Sequence, residues 1–136
     1  MSFLLDTNVL SELRKPHPDS HVRAWFAATP GERLFLSVLS IGEIRRGIER
    51  LRRRDAAQTA VFEDWLGTLR QRYAERLLPV TVEVAEEWGR LNVPDPLPTV
   101  DGLLVATARV HDLVLVTRNT ADMARTGVSL LDPFRS

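Results

Sequence analysis

Short apolar runs alternate with longer stretches of helical periodicity, and this alternation fixes most of what the chain can fold into. Phe3, Leu4 and Leu5 end at Asp6-Thr7-Asn8, a strand running into a helix start. Val9, Leu10 and Leu13 carry a first helix that stops before Pro16. Ser20 is placed to cap a second helix with Val22, Trp25 and Phe26, and Pro30-Gly31 reads as a turn. Residues 34–38 form a second strand candidate. A third helix is expected from Ser40, with Ile41, Ile44, Ile48 and Leu51 at helical spacing. A fourth carries Val61, Phe62, Trp65, Leu66, Leu69 and Tyr73 as its apolar stripe. A short strand at 77–80, a helix at 82–91, a break at Pro94, Pro96 and Pro98, and a helix from Thr99 through Ala108 follow. Strands at 113–116 and 128–131 complete the series. The pattern predicts an α/β fold, with a small, mainly parallel sheet flanked by helices on both faces. In such sheets ligands bind at the carboxyl ends of the strands.

A length of 136 residues suits one domain spanning 1–136, with no repeat or linker to divide it. The chain has no cysteine, so disulfides and thiolate zinc sites are excluded, and a reducing cytoplasm is the natural compartment. The opening MSFLLDTNVLSEL has neither the basic start nor the long apolar run of a signal peptide. No apolar stretch reaches the about 20 residues needed to span a bilayer, so no membrane partner is expected. Eighteen basic and 18 acidic residues cancel. This argues against binding to nucleic acid by overall charge and leaves a local basic patch open.

Four acids stand where such a fold concentrates chemistry. Asp6 ends the first strand, Glu43 lies in the first turn of the third helix, Asp101 lies in the first turn of a later helix, and Asp122 follows the 113–116 strand. Each has a purely structural reading. Asp6 can cap the first helix, and Ser40-Ile41-Gly42-Glu43 fits a capping box. Asp101 can favour the dipole of a Thr99-capped helix, and Asp122 can be a turn residue. Together they are harder to explain that way, because four carboxylates at one sheet edge repel one another unless cations intervene. Hard divalent cations such as Mg²⁺ take carboxylate, water and phosphate oxygens. A cation so held activates water and offsets charge on a phosphodiester, which is nuclease chemistry. Thr7, Asn8, Thr117 and Asn119 are placed to orient these carboxylates or the waters between them.

These same residues carry a family resemblance. FLLDTNVLSEL is similar to the opening motif of PIN-domain toxins, and LSIGEIRRGI resembles their second motif. TVDGLLVATARVHDLVLVTRNTADM looks like their third and fourth motifs joined, and the tail GVSLLDPF resembles the FitB-like branch of the VapC toxins. Met123 departs from the pattern, standing where many relatives carry Phe, but Met is an adaptable hydrophobe able to fill that space. The resemblance implies a PIN fold and a Mg²⁺- or Mn²⁺-dependent endoribonuclease acting as the toxin of a toxin–antitoxin pair. Asp6, Glu43, Asp101 and Asp122 would be its metal-binding and catalytic acids. It further implies an RNA substrate, a cognate VapB-like antitoxin, a homodimer, and a larger complex with antitoxin and operator DNA.

Other residues invite a role. Arg45 and Arg46, in a run with Arg50, Arg52, Arg53 and Arg54, could track an RNA backbone or form a solvated helix face. Arg118 could meet phosphate or pair with an acid. Trp25, Trp65 and Trp88 sit among apolar residues and read as packing. The helices bearing Trp25, Phe26, Ile44 and Ile48 are candidate walls for an antitoxin groove. Two other classes compete. A phosphotransfer enzyme using Asp6 as nucleophile wants a second Asp where Asn8 stands, and a Lys better placed than Lys15, the only lysine, just before Pro16. A catalytically silent PIN-fold module binding RNA or protein is the alternative from outside enzymology.

Overall fold

The computed structural model describes residues 1–135; Ser136, the last residue of the expected domain, lies outside them. Among the described residues, β1 (Phe3–Leu5), β2 (Leu34–Ser37), β3 (Leu77–Leu78), β4 (Val114–Val116) and β5 (Leu130–Leu131) form one sheet in the order β3-β2-β1-β4-β5. Every neighbouring pair is parallel. The helices are α1 (Thr7–Arg14), α2 (Ser20–Ala28), α3 (Val38–Arg52), α4 (Ala56–Arg72), α5 (Val82–Leu91), α6 (Thr99–Val110) and the single turn α7 (Thr120–Met123). The chain builds outward from β1 to β3 on one side, then crosses back to lay β4 and β5 on the other. The strand order therefore reverses at β1, and the crevice there is where α/β sheets place ligands.

Side-chain alternation along each strand explains the layers. Phe3 and Leu5 join Leu34, Leu36 and Val116 in one core, against Val9, Leu10, Val22, Ile44, Ile48, Leu66 and Leu69 of α1 to α4. Leu4 and Leu115 point the other way, against Leu104, Val105 and Ala108 of α6 and Met123 of α7. Burial of each such Leu contributes roughly 1.5–3 kcal/mol, which is why strands of two to four residues suffice. Met123 is fully buried, as its replacement of Phe requires. On the second face α5 packs on α6 through a close approach at Gly102. A Cβ there would lie 3.1 Å from Trp88 Cδ1, so any larger residue beside Asp101 would have to push the indole back.

Several element boundaries differ from the sequence expectation. Asp19, not Ser20, caps α2, its carboxylate accepting from the N–H groups of His21 and Val22. Helix α3 begins at Val38 because Ser37 caps it, the hydroxyl accepting from Leu39 N–H at 3.0 Å. Ser40 is thus no cap. Pro98, which offers no side-chain bond, stands at the N-cap of α6 where Thr99 was expected. Strand β3 stops at Leu78 because Pro79 has no N–H to donate. The last strand starts only at Leu130, after Gly127 takes a left-handed φ of 75° and turns the chain. Val61 is not part of the α4 stripe; it is 55% exposed.

Candidate active site

Asp6 is the hinge between sheet and helix. Its N–H donates to Val116 O at 2.9 Å, continuing the β1–β4 pairing, while its carbonyl accepts from Val9 and Leu10 at the start of α1. Its carboxylate is only 5% exposed yet doubly held. Oδ1 accepts from Thr7 N–H at 2.7 Å, and Oδ2 accepts from the Thr117 hydroxyl at 2.8 Å. Thr117 follows β4 directly and is fully buried. Its oxygen also accepts from Asn8 Nδ2 at 3.3 Å and from Asn119 N–H at 3.1 Å. With both acceptor positions filled, its single proton is committed to Asp6.

Glu43 is fixed from the opposite side. Because α3 starts at Val38 with Ser37 as its cap, and not at Ser40 as the first-turn placement required, Glu43 falls in the second turn and takes no part in a capping box. Its Oε1 instead accepts from the Thr7 hydroxyl at 2.5 Å. The Thr7 and Ser40 oxygens lie 3.0 Å apart. A carboxylate can only accept, so the Thr7 proton serves Glu43 and Ser40 donates to Thr7. Ser40, fully buried, joins this hydrogen-bonded cluster, which sequence reasoning missed, having assigned its hydroxyl to helix capping. An earlier serine at position 37, able to cap the same helix, was the available signal.

Asp101 lies in the first turn of α6 and is half-buried, while Asp122 on α7 is exposed. The electrostatics link all four acids. Burial pushes Asp6 above the usual carboxylate range; the Thr117 and Thr7 bonds pull it back, and the charges of Glu43 and Asp101 raise it further. Burial, then Glu43 and Asp122, raise Asp101. Carboxylates from β1, α3, α6 and α7 therefore feel one another at the crevice beside β1 and β4, with Asp122 outermost. Among the described residues, no three acidic or histidine side chains converge closely enough to grip an ion as they stand. The donor set still fits a hard cation. It is oxygen only, like-charged and partly desolvated, so positive charge would relieve both its repulsion and its burial.

The remaining expected residues divide. Asn8 bridges Thr117 to the Arg118 N–H, its Oδ1 accepting at 3.3 Å. Asn119 contributes its backbone N–H rather than its side chain. The Arg118 guanidinium lies 3.8 Å above the Phe134 ring instead of pairing with an acid. Arg45, expected as a phosphate contact, is occupied elsewhere: it grips Glu63 with two bonds of 2.6 and 3.0 Å and reaches Glu49 at 3.2 Å. Arg46 forms no ion pair among the described residues and borders a dent with Val38, Gly42, Glu43 and Val100. A groove of about 590 Å³ leads away from Thr7 and Glu43 between α1, α3 and α4. Ile44 and Ile48 line it as expected, but its other wall is Phe62 and Trp65 of α4. Trp25 instead meets Phe3 edge-on at 5.3 Å, and Phe26 borders a separate depression. Trp88 packs against α6 with its Nε1 unpartnered, the only such buried side-chain atom among the described residues.

Fold and site define an α/β domain with a carboxylate centre at its topological switch point. The PIN domain pattern matches residues 3–128, and the chain belongs to that family. It is 31% identical to the VapC ribonuclease Y4jK of Sinorhizobium fredii, the match covering 96% of each chain. It is 29% identical to the toxin FitB of Neisseria gonorrhoeae, over 96% of this chain and 97% of that one. The crystal structure of FitAcB from Neisseria gonorrhoeae superposes with a TM-score of 0.90 at 28% identity, over 98% of this chain and 99% of that chain. The structure of FitAB bound to the IR36 DNA fragment matches with a TM-score of 0.89 at 27% identity, over 98% and 96%. No helix of the described residues is long and apolar enough to cross a membrane.

Proposed function

We propose that the chain is the toxin of a toxin–antitoxin pair and cleaves RNA internally by metal-dependent hydrolysis. The observation that carries this reading is the junction of Asp6, Glu43 and Asp101. Asp6 and Asp101 are both raised, first by burial and then by the charge of Glu43 beside them, at the sheet's switch point. Nothing in packing requires that arrangement, and it costs folding stability. Asp6, Glu43, Asp101 and Asp122 would hold Mg²⁺ or Mn²⁺, which when bound polarises a phosphodiester and activates water. The Thr117 and Thr7 hydroxyls hold the Asp6 and Glu43 carboxylates in place. Asp101, in the first turn of α6, is near enough for its charge to act on Asp6. Arg46 is left free at the rim to meet a phosphate. His17, His21 and His111 offer no general acid–base pair near the acids, which favours attack by water over attack by the RNA's 2′-hydroxyl.

Control by an antitoxin is part of the same reading. Relatives at 27–29% identity are a toxin by name and partners in FitAB complexes, one of them on DNA. The groove lined by Ile44, Ile48, Phe62 and Trp65 opens beside Glu43, so a partner segment seated there with a basic side chain at the acids would block them. A homodimer, and a larger complex with antitoxin and operator DNA in the cytoplasm, complete the proposal. The test is cleavage of RNA by the purified chain with Mg²⁺, Mn²⁺ or EDTA, alone and after co-expression with the product of the adjacent small reading frame. Metal-dependent cleavage with 5′-phosphate ends, suppressed in the complex, is expected. Tight RNA binding without cleavage under any metal would favour the catalytically silent module.

A further inference from the structure

The acid centre has a counterpart of opposite charge. Between α1, α2 and α4 lies a depression of about 470 Å³ whose border includes Arg14, Arg23 and Arg72 and no acidic side chain. None of these three arginines forms an ion pair among the described residues, although the chain as a whole is neutral. Arg14 and Trp65 border both this depression and the groove that starts at Thr7 and Glu43. The two adjoin at Arg14 and Trp65, with the acids at the far end of the groove and the arginines around the depression.

We propose that the basic end receives carboxylate side chains of the inhibitory protein, as a second anchor remote from the acid centre. The inference rests on the antitoxin reading above and adds the charge order its partner must carry: basic at the acids, apolar along the groove, acidic over α1, α2 and α4. Charge complementarity selects an anionic occupant, and the lining selects a polypeptide over RNA. Single-stranded RNA wants open aromatic faces for its bases. Here Arg14 already covers Phe62 at 4.2 Å and stands 5.9 Å from the Trp65 ring, and Arg76 stands 5.2 Å from the ring of Tyr73, itself 3% exposed. What remains partly exposed is Leu13, Phe26 and Trp65, which suits the apolar side of a short acidic segment. Charges at the rim of such a contact set orientation and association rate more than raw affinity, and a reversed charge is penalised strongly.

Arg23 and Arg72 are exposed and form no side-chain ion pair among the described residues, so they can be reversed without disturbing the core. The probe is the product of the adjacent small reading frame, titrated against the full chain and against R23E/R72E at low and high salt. Affinity of the double variant is expected to fall on the order of 100-fold at low salt, with a shallower salt dependence, and Asp or Glu to Lys changes in the partner should recover it. If R23E/R72E does not fold by circular dichroism, R23A/R72A is used, with a loss of about tenfold expected. Binding by the folded variant within threefold of wild type overturns the inference and leaves the antitoxin reading intact. A partner affinity unchanged within threefold, with KM for RNA raised more than tenfold, overturns it in favour of an RNA track. If the probe does not bind the wild-type chain, the antitoxin reading itself fails and this inference with it.

Discussion

Two charged clusters in this molecule obey opposite electrostatics. On α3 and α4, Arg45, Glu49, Arg52 and Glu63 alternate in sign and lie on the surface, with ion pairs of 2.6 to 3.2 Å. Arg45 holds Glu63 and Arg52 holds Glu49 below the usual carboxylate range. At the switch point, Asp6, Glu43, Asp101 and Asp122 share one sign, and Asp6 and Asp101 are driven upward by burial and by their neighbours. The first cluster satisfies itself and ties two helices together. The second is under-satisfied in the chain alone and gains from a cation or a basic ligand. A group of charges that opposes folding calls for a functional explanation, whereas one that is already neutralised does not.

Asp101→Asn breaks that contrast most sharply. It should lower RNA cleavage about 1,000-fold or more while raising Tm by roughly 1–3 °C, since a repelled, half-buried charge is removed. Cleavage within threefold of wild type in Mg²⁺ or Mn²⁺ would remove Asp101 from the site; a fall in Tm would contradict the repulsion. Thr117→Val should follow, with a 10–100-fold loss of activity and a higher Mn²⁺ concentration for half-maximal rate, because Asp6 loses its hydroxyl donor. Thr117→Ser should restore both, and failure of the serine to do so would show that the methyl group, not the hydroxyl, matters.

The pH dependence of stability separates the clusters by sign. Asp101 has a folded value above 3.8, so the folded state holds its proton more tightly than the unfolded chain. Its contribution therefore falls as pH rises through that folded value, and the Tm advantage of Asp101→Asn should be larger at about pH 7 than at about pH 4. Glu49 and Glu63 lie below 4.5, so their contribution is present above that value and is lost on acidification through their folded values. Thermal unfolding of wild type and variant across that range measures both; a constant Tm difference would refute the Asp101 assignment. The smallest effect is expected from Arg45→Met, a slight drop in Tm that shrinks at high salt, with KM for RNA within twofold of wild type. A tenfold rise in KM would return Arg45 to the role of phosphate contact.

How much of this was legible in the chain follows from the range of the forces involved. The short apolar runs at Phe3 to Leu5 and at Val114 to Val116, set between helical stretches, are a local pattern, and they specified a parallel sheet covered on both faces before any coordinates. Asp6 could be placed at a strand end for the same reason. Position along the sequence could not decide the start of α3, because Ser37 and Ser40 are both chemically able to cap. Only the pairing of β2 with β1 and β3 fixes where the strand ends and so which serine is used. That shift of three residues freed Glu43 for Thr7 and turned Ser40 from a cap into part of the site. Likewise an arginine run on one helix says nothing about its partners. Arg45 is drawn to Glu63, 18 residues away on α4, while Arg14, Arg23 and Arg72 gather from three helices into one acid-free depression. Local hydrophobic periodicity is written residue by residue, but which charges meet depends on distances that exist only once the helices are packed on the sheet.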